Sequence, residues 1–310
     1  MGVGRTLFLK ASDSKWLREH GTKAPFVRRA VSKFMPGESF DDMLVAARAM
    51  SVEGIGAVFT RLGENVTDLA EAEAVARHYL EGIDRVAHQA GLSCEPSIKL
   101  TQLGLDVDRE LAFGHLRALA ARTHQAGNYL WIDMEQSGYV DVTLDLTRRL
   151  RAEFPRIGVC LQAYLFRTRE DLAGVMGRGI GVRLVKGAYN EPATVAFPKK
   201  SDVDANYLAL AQAMLAPGAG IGGARPVFGT HDITLIDTIR RHATAVNVAP
   251  AEYEFHMLYG IQRAAQLRLA HDGAALRVLI AYGDYWFPWY MRRLAERPAN
   301  VWFVARSLFR

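Results

Sequence analysis

The chain has 310 residues, 50% of them hydrophobic, 10% aromatic and 23% charged. That composition supports a sizeable buried core and excludes a disordered chain. At about 100–200 residues per domain, the length allows two domains or one large barrel. Lys and Arg exceed Asp and Glu by 38 to 33, a net charge of +5; without a recognised binding motif that excess does not point to nucleic acid, and no apolar run of about eighteen residues predicts a transmembrane helix.

The first 40 residues carry eight Lys or Arg against three acids. A solvated helical arm explains the excess; contact with an anionic membrane surface is the sharper reading. Residues 1–50 are expected to be helical, with Trp16, Leu17, Phe26, Phe34, Met43 and Leu44 as apolar anchors. No long apolar segment follows the basic residues, so no signal peptide is expected. Met1, Gly2 and Thr6 match the myristoylation pattern, which chance often produces. Two cysteines, Cys94 and Cys160, are too few for a disulfide framework and read as buried thiols of a cytoplasmic protein.

Beyond the arm, β-branched and apolar runs alternate with stretches of helical period. Strands are expected at 55–61, 95–101, 129–135, 158–164, 181–187, 226–231, 252–257 and 276–281. The clearest helix between them is 67–90, with Leu69, Val75, Leu80, Ile83 and Val86 in its apolar set, Thr67 as N-cap and Gly91 as the stop. Thr168 and Asp171 suit a cap for the helix after the fourth strand. Alternating strands and helices imply parallel strands with right-handed crossovers. Eight units fit a (β/α)8 TIM-type barrel of about 250 residues; a doubly wound open sheet is the rival. The expected organisation is an N-terminal helical arm at 1–50 on a barrel catalytic domain at 51–310, one domain overall. Gly218, Gly220 and Gly223 spell G-x-G-x-x-G, but a helix precedes them and a strand follows, the reverse of a dinucleotide fingerprint.

Chemistry in such a barrel collects at the carboxyl ends of the strands. Those ends offer Arg61 and Glu64; Lys99; Asp133, Met134 and Glu135; Gln162 and Tyr164; Arg183, Lys186, Gly187, Ala188 and Tyr189; Thr230, His231 and Asp232; and His256 and Leu258. No H-x-H pair or other metal-ligand cluster is expected among them. Lys99 and Lys186 stand in apolar surroundings, where lysine is costly to bury; each suits an anion, a Schiff base, or a pairing with Asp133 or Glu135. Farther on, Arg292 and Arg293 lie within helical reach of Glu296 beside many aromatics. That pattern fits either an exposed salt-bridged face or a two-arginine clamp for a carboxylate.

Six motifs in order, SIKLTQL at 97–103, WIDME at 131–135, LQAY at 161–164, RLVKGAY at 183–189, GTH at 229–231 and YMRRLAE at 290–296, make the chain resemble the proline dehydrogenase family, specifically its short monofunctional bacterial members. The resemblance runs from about residue 40 to the last residue. It implies a distorted (β/α)8 barrel holding FAD noncovalently. It also implies oxidation of L-proline to Δ1-pyrroline-5-carboxylate, the first step of proline catabolism to glutamate, with electrons passed to a membrane quinone. Carried over by motif, Arg292, Arg293 and Lys99 hold the proline carboxylate, with Asp133, Glu296 and Glu64 as counter-charge. Tyr189 and Leu258 wall the ring, and Glu64 gates the site by pairing with Arg292. Met134, Gln162, Arg183, Val185, Lys186, Gly187, Ala188, Thr230 and His231 bind FAD, with Arg183 near flavin N5. Asp133 and Arg183 are the residues expected at the chemistry. The chain departs from the family at Asp232, where Asn is frequent, and at Trp289 and Leu279, where many members have Tyr. An acid beside the FAD phosphates is unfavourable, so Asp232 is expected to point away from them. The other two departures bear on proline affinity and on tolerance of ring-hydroxylated analogues. Three other readings stay open: a Schiff-base aldolase using Lys99 or Lys186, a noncatalytic proline or flavin sensor, and a membrane-associated scaffold acting through the basic arm.

Overall fold

Eight parallel strands pair in sequence order and close on themselves, the first against the last. The structure, a computed structural model, describes residues 31–219 and 223–287. The basic residues before 31, Gly220, Trp289, Arg292, Arg293 and Glu296 lie outside the described residues. Strands β1 (Gly56–Arg61), β2 (Cys94–Ile98), β3 (Leu130–Ile132), β4 (Ile157–Gln162), β5 (Gly181–Val185), β6 (Pro226–Gly229), β7 (Glu254–Leu258) and β8 (Leu276–Tyr282) form the barrel. Helix α1 (Phe40–Val52) precedes β1. Helices α2 (Leu69–Ala87), α3 (Arg109–Gln125), α4 (Val140–Glu153), α5 (Thr168–Met176), α6 (Lys200–Met214), α7 (Ile233–Ala245) and α8 (Arg263–His271) follow β1 to β7 in turn. This is the expected (β/α)8 architecture, and all eight expected strands are present.

Strand ends and caps differ from expectation for local reasons. The N-cap of α2 is Asp68, not Thr67; its carboxylate accepts the Glu71 N–H at 2.9 Å. Thr168 does not cap α5: its hydroxyl donates to the Gln162 carbonyl at 2.5 Å, fastening the loop back onto β4. Residues 100 and 101, expected as strand, wind instead into a 3-10 turn, Leu100–Leu103. Within the expected helical arm, residues 32–39 are turns and bends, and α1 begins only at Phe40. A reciprocal Ser39–Asp42 capping box starts it. Phe40 then packs edge-on against Phe59 of β1 and Tyr282 of β8, ring centres 5.5 Å from each. The arm thus seals the outer face where the barrel closes. Among the described residues, no helix is long and apolar enough to cross a membrane.

Outward-facing Val, Ile, Leu and Ala bury against the helices and form the main core. The inside is different. Trp131 of β3 fills the middle of the lumen, against Val58 of β1 and Val227 of β6, as a separate small cluster. Its bulk explains Gly158 on the next strand: a Cβ there would come within 2.4 Å of the indole. Below lies a set of buried charges. Glu95 of β2 accepts from Arg225 at 2.8 Å and lies 3.1 Å from Arg277 of β8. Glu254 of β7 pairs with both arginines, 2.8 Å from Arg277. Two acids and two bases leave this floor neutral, which is how buried charges become tolerable. The Cys94 and Cys160 thiols are buried, and burial pushes both pKa values up.

Candidate active site

The carboxyl ends of the strands gather the expected polar residues around Arg183. This guanidinium stands on the inward face of β5, with 4% of its side chain exposed. Its Nη2 pairs with Asp133, just past β3, and donates to the Ser97 hydroxyl on β2 at 2.8 Å. Ser97 in turn donates to the same Asp133 oxygen at 2.9 Å. Burial, the largest single influence, opposes the guanidinium charge, but Asp133, Cys160 and Glu95 together outweigh it and raise the Arg183 pKa. Below, the guanidinium carbon lies 5.2 Å from the centre of the Trp131 ring, within cation–π range. One edge and one face of Arg183 are therefore fixed by neighbouring strands. The sequence motif assigns Ser97 no role; its place two residues before Lys99, on the same face of β2, is the signal for one.

Lys99 caps the inward face of β2 and is half-buried. It is not paired with Asp133 or Glu135: among the described residues its Nζ forms no ion pair and donates only to the Gly63 carbonyl, at 3.3 Å. Two of its three protons remain for an anion. Glu135 is fully buried and accepts from Thr101 through its backbone N–H, 3.1 Å, and its hydroxyl, 2.5 Å. Burial raises the Glu135 pKa; the Thr101 bonds and the charge of Lys99 oppose the rise, and the charge of Glu64 adds to it. Glu64, Lys99 and Glu135 are thus electrostatic neighbours at the mouths of β1, β2 and β3.

Gln162 ends β4. Its amide nitrogen donates to the Glu135 carbonyl at 3.2 Å, holding the chain after β3. After β5, Gly187 adopts φ +112°, which a side chain would strain, and a Cβ there would come within 2.3 Å of the Tyr164 ring. Lys186 sits between two acids, 2.5 Å from Asp204 of α6 and 3.1 Å from Asp232. Asp232, expected to point away from the FAD phosphates, pairs with this lysine, and its other oxygen caps α7 at the Leu235 N–H. His231 Nε2 accepts the Leu258 N–H at 2.8 Å, which puts the proton of a neutral ring on Nδ1 and ties the end of β6 to β7. Leu279 borders the Trp131 cluster. Met134, Val185, Ala188, Tyr189, Thr230 and Leu258 also lie at these strand ends, buried or half-buried.

The arrangement fits a large, flat, polar-edged group. Arg183 Nη1 is a buried donor without a partner among the described residues, and Gln162 Oε1 is a buried acceptor in the same condition. Leaving both unmet is costly. A flavin ring edge carries acceptors that suit the first and an N–H donor that suits the second.

Comparison with known proteins gives a consistent result. The proline dehydrogenase family profile matches residues 43–306. "Proline dehydrogenase 1" of Bacillus subtilis (strain 168) is 35% identical over 307 residues, covering 99% of each chain. "Proline dehydrogenase" of Deinococcus radiodurans is 36% identical over 283 residues, covering 90% of this chain and 89% of that protein. Among solved structures, proline utilization A (PutA) from Bdellovibrio bacteriovorus, inactivated by N-propargylglycine, superposes with a TM-score of 0.78 at 23% identity, covering 94% of this chain and 36% of that one.

Proposed function

Because the chain belongs to the proline dehydrogenase family, oxidoreductases that act on the CH–NH bond of proline in the first step of its catabolism, we propose that it holds FAD at the strand ends and converts L-proline to Δ1-pyrroline-5-carboxylate. Electrons then pass to a membrane quinone. The observation that carries the cofactor assignment is the pair of buried unmet atoms on adjacent strands, Arg183 Nη1 on β5 and Gln162 Oε1 on β4.

Hydride acceptance from the ring carbon next to nitrogen is the chemistry bound FAD supplies. The protein supplies position. Arg183, with Met134, Gln162, Val185, Lys186, Gly187, Ala188, Thr230 and His231, holds the cofactor. The Arg183 charge near the reacting edge favours the reduced, anionic form. Asp133 keeps that guanidinium charged and aimed. Lys99, free of carboxylate partners among the described residues, takes the substrate carboxylate with Arg292 and Arg293, while Glu296 orients the two arginines. Tyr189 and Leu258 wall the ring, and Glu64 with Arg292 gates the mouth. The amine proton leaves to solvent. One domain, with the arm of residues 1–50 on a barrel of 51–310, carries all of this in the cytoplasm. The basic arm gives it a peripheral contact with the inner membrane surface.

An anaerobic visible spectrum before and after adding L-proline tests the reading. The expected result is a flavin band that bleaches with proline. A flavin band indifferent to proline would overturn the catalytic assignment. A protein that takes up no FAD would return Lys99 and Lys186 to consideration as Schiff-base lysines.

A further inference from the structure

The charged floor and the candidate site are joined by one residue. Trp131 is fully buried, and its indole N–H donates to Glu95 Oε2 at 2.7 Å. The other oxygen of Glu95 faces Arg225 and Arg277. The two Glu95 oxygens thus act separately, one neutralising the two arginines and the other fixing the indole. The ring is further enclosed by Tyr129, 5.0 Å away and tilted by 37°, and by the edge of His256, 5.5 Å away. Val58 and Val227 close the remaining sides. A ring so enclosed has one orientation, and on it rests the Arg183 guanidinium.

We propose that Trp131 and Glu95 are positioning residues for Arg183. Asp133 and Ser97 both hold Nη2. These bonds meet at a single nitrogen and, even with the Cys160 thiol alongside, leave the guanidinium plane some freedom to rotate. The indole face removes that freedom, because a cation over an aromatic ring is drawn flat against the ring's negative face. The consequence is that Nη1, the unmet donor, keeps a fixed direction. Glu95 acts one step further back by fixing the indole, and the arginine–glutamate floor fixes Glu95. The barrel floor therefore sets the direction of a charge at the strand ends. The inference rests on the functional reading above, in which Arg183 lies near the flavin.

The test is the two-electron midpoint potential of the FAD-loaded protein. Trp131→Phe removes the indole N–H and part of the π face while keeping an aromatic ring. With Arg183 less well aimed, the reduced flavin loses stabilisation, and the potential falls by about 30 mV, equivalent to a tenfold change in the reduction equilibrium. Leu116→Ala removes packing from the outer core on α3, away from the indole, its N–H and the Arg183 contact, so it lowers thermal stability and leaves the potential unchanged. If Trp131→Phe does not fold, a fluorinated tryptophan at position 131 keeps the shape and N–H while weakening the negative face, and it lowers the potential by less. A potential unchanged in the Trp131 protein that is obtained, or an equal fall in Leu116→Ala, overturns the inference. A wild-type protein that takes up no flavin overturns the functional reading and this inference with it; a wild-type flavoprotein with an unresponsive Trp131 variant overturns this inference alone.

Discussion

Asp133→Asn isolates the charge of the Arg183 pair with little change of shape. Asp133 accepts from Arg183 and from Ser97, and its side chain is 17% exposed against 4% for Arg183, so solvent screens the pair weakly. A hydrogen bond to a charged group contributes about 1.5–3 kcal/mol and a neutral one about 0.5–1.5. Two such bonds weakened together cost about 2–3 kcal/mol. The buried guanidinium left without a counter-charge moves the cost toward the 3–5 kcal/mol typical of a broken buried pair. About 3 kcal/mol, at an unfolding entropy of about 2.1 cal/mol/K per residue over 310 residues, lowers Tm by about 5 °C. Differential scanning calorimetry at pH 7 reads this directly. The double variant Asp133→Asn, Arg183→Gln should lose clearly less than the two single losses combined, because the second change removes the charge the first stranded. Strict additivity, or a single variant as stable as wild type, would show that the two side chains are not energetically coupled.

Gly158→Ala places a methyl within 2.4 Å of the Trp131 ring. It should cost about 1–3 kcal/mol by overpacking, read as a lower midpoint in urea with an unchanged slope. His256 is fully buried, and burial lowers its pKa from 6.5 to about 4, with Glu254 opposing and Arg183 and Arg225 reinforcing the fall. The unfolded chain therefore binds a proton the folded chain refuses, and stability falls as pH drops from 6.5 to about 4. At about 1.36 kcal/mol per unit the full loss is about 3 kcal/mol. His256→Gln should flatten that part of the stability–pH curve, leaving the steeper loss below it that belongs to the carboxylates. Arg292→Met should raise KM for proline by more than about tenfold, since a charge-assisted bidentate contact is worth about 1.5–3 kcal/mol; a normal KM would remove Arg292 from the carboxylate clamp.

The barrel was legible because its strands bury both faces and read as Val, Ile and Leu runs between amphipathic helices. Strand ends were less so. Asp133 still donates its N–H to the Ile98 carbonyl at 2.7 Å, so extended character outlasts the strand assignment there, whereas Leu100 already turns. Helix caps compete between adjacent polar residues, and Asp68 won over Thr67 on reach alone. The gathering of polar side chains at the strand ends was legible where a motif concentrates them, as in RLVKGAY. The floor was not: Glu95, Arg225, Glu254 and Arg277 are separated by up to 182 positions between paired partners, and only closure of β8 on β1 brings them together. A weak signal existed in Glu95, an acid inside a wholly buried strand, CEPSI, where a partner across the barrel was implied. The partnership of Lys186 with Asp204 and Asp232 was hidden for the same reason, since Asp204 reaches it from α6.

Barrels of this class commonly fill their interior with layers of branched aliphatic side chains. This one has an ionic floor, a tier containing Trp131 and Val227, and above them the Arg183–Asp133–Ser97 constellation. Aliphatic layers would be simpler to bury, and replacing a buried ion pair by apolar groups is often neutral or stabilising. Directional bonds give what aliphatic packing lacks. Leucine against leucine tolerates rotation, whereas Glu95 at 2.7 Å from the indole nitrogen does not. On the proposed reading, in which Arg183 points at one edge of a flavin, that charge has to be held by contacts with direction all the way down. The buried ions of the floor are accordingly read as a source of angular precision for Arg183 more than as a source of stability.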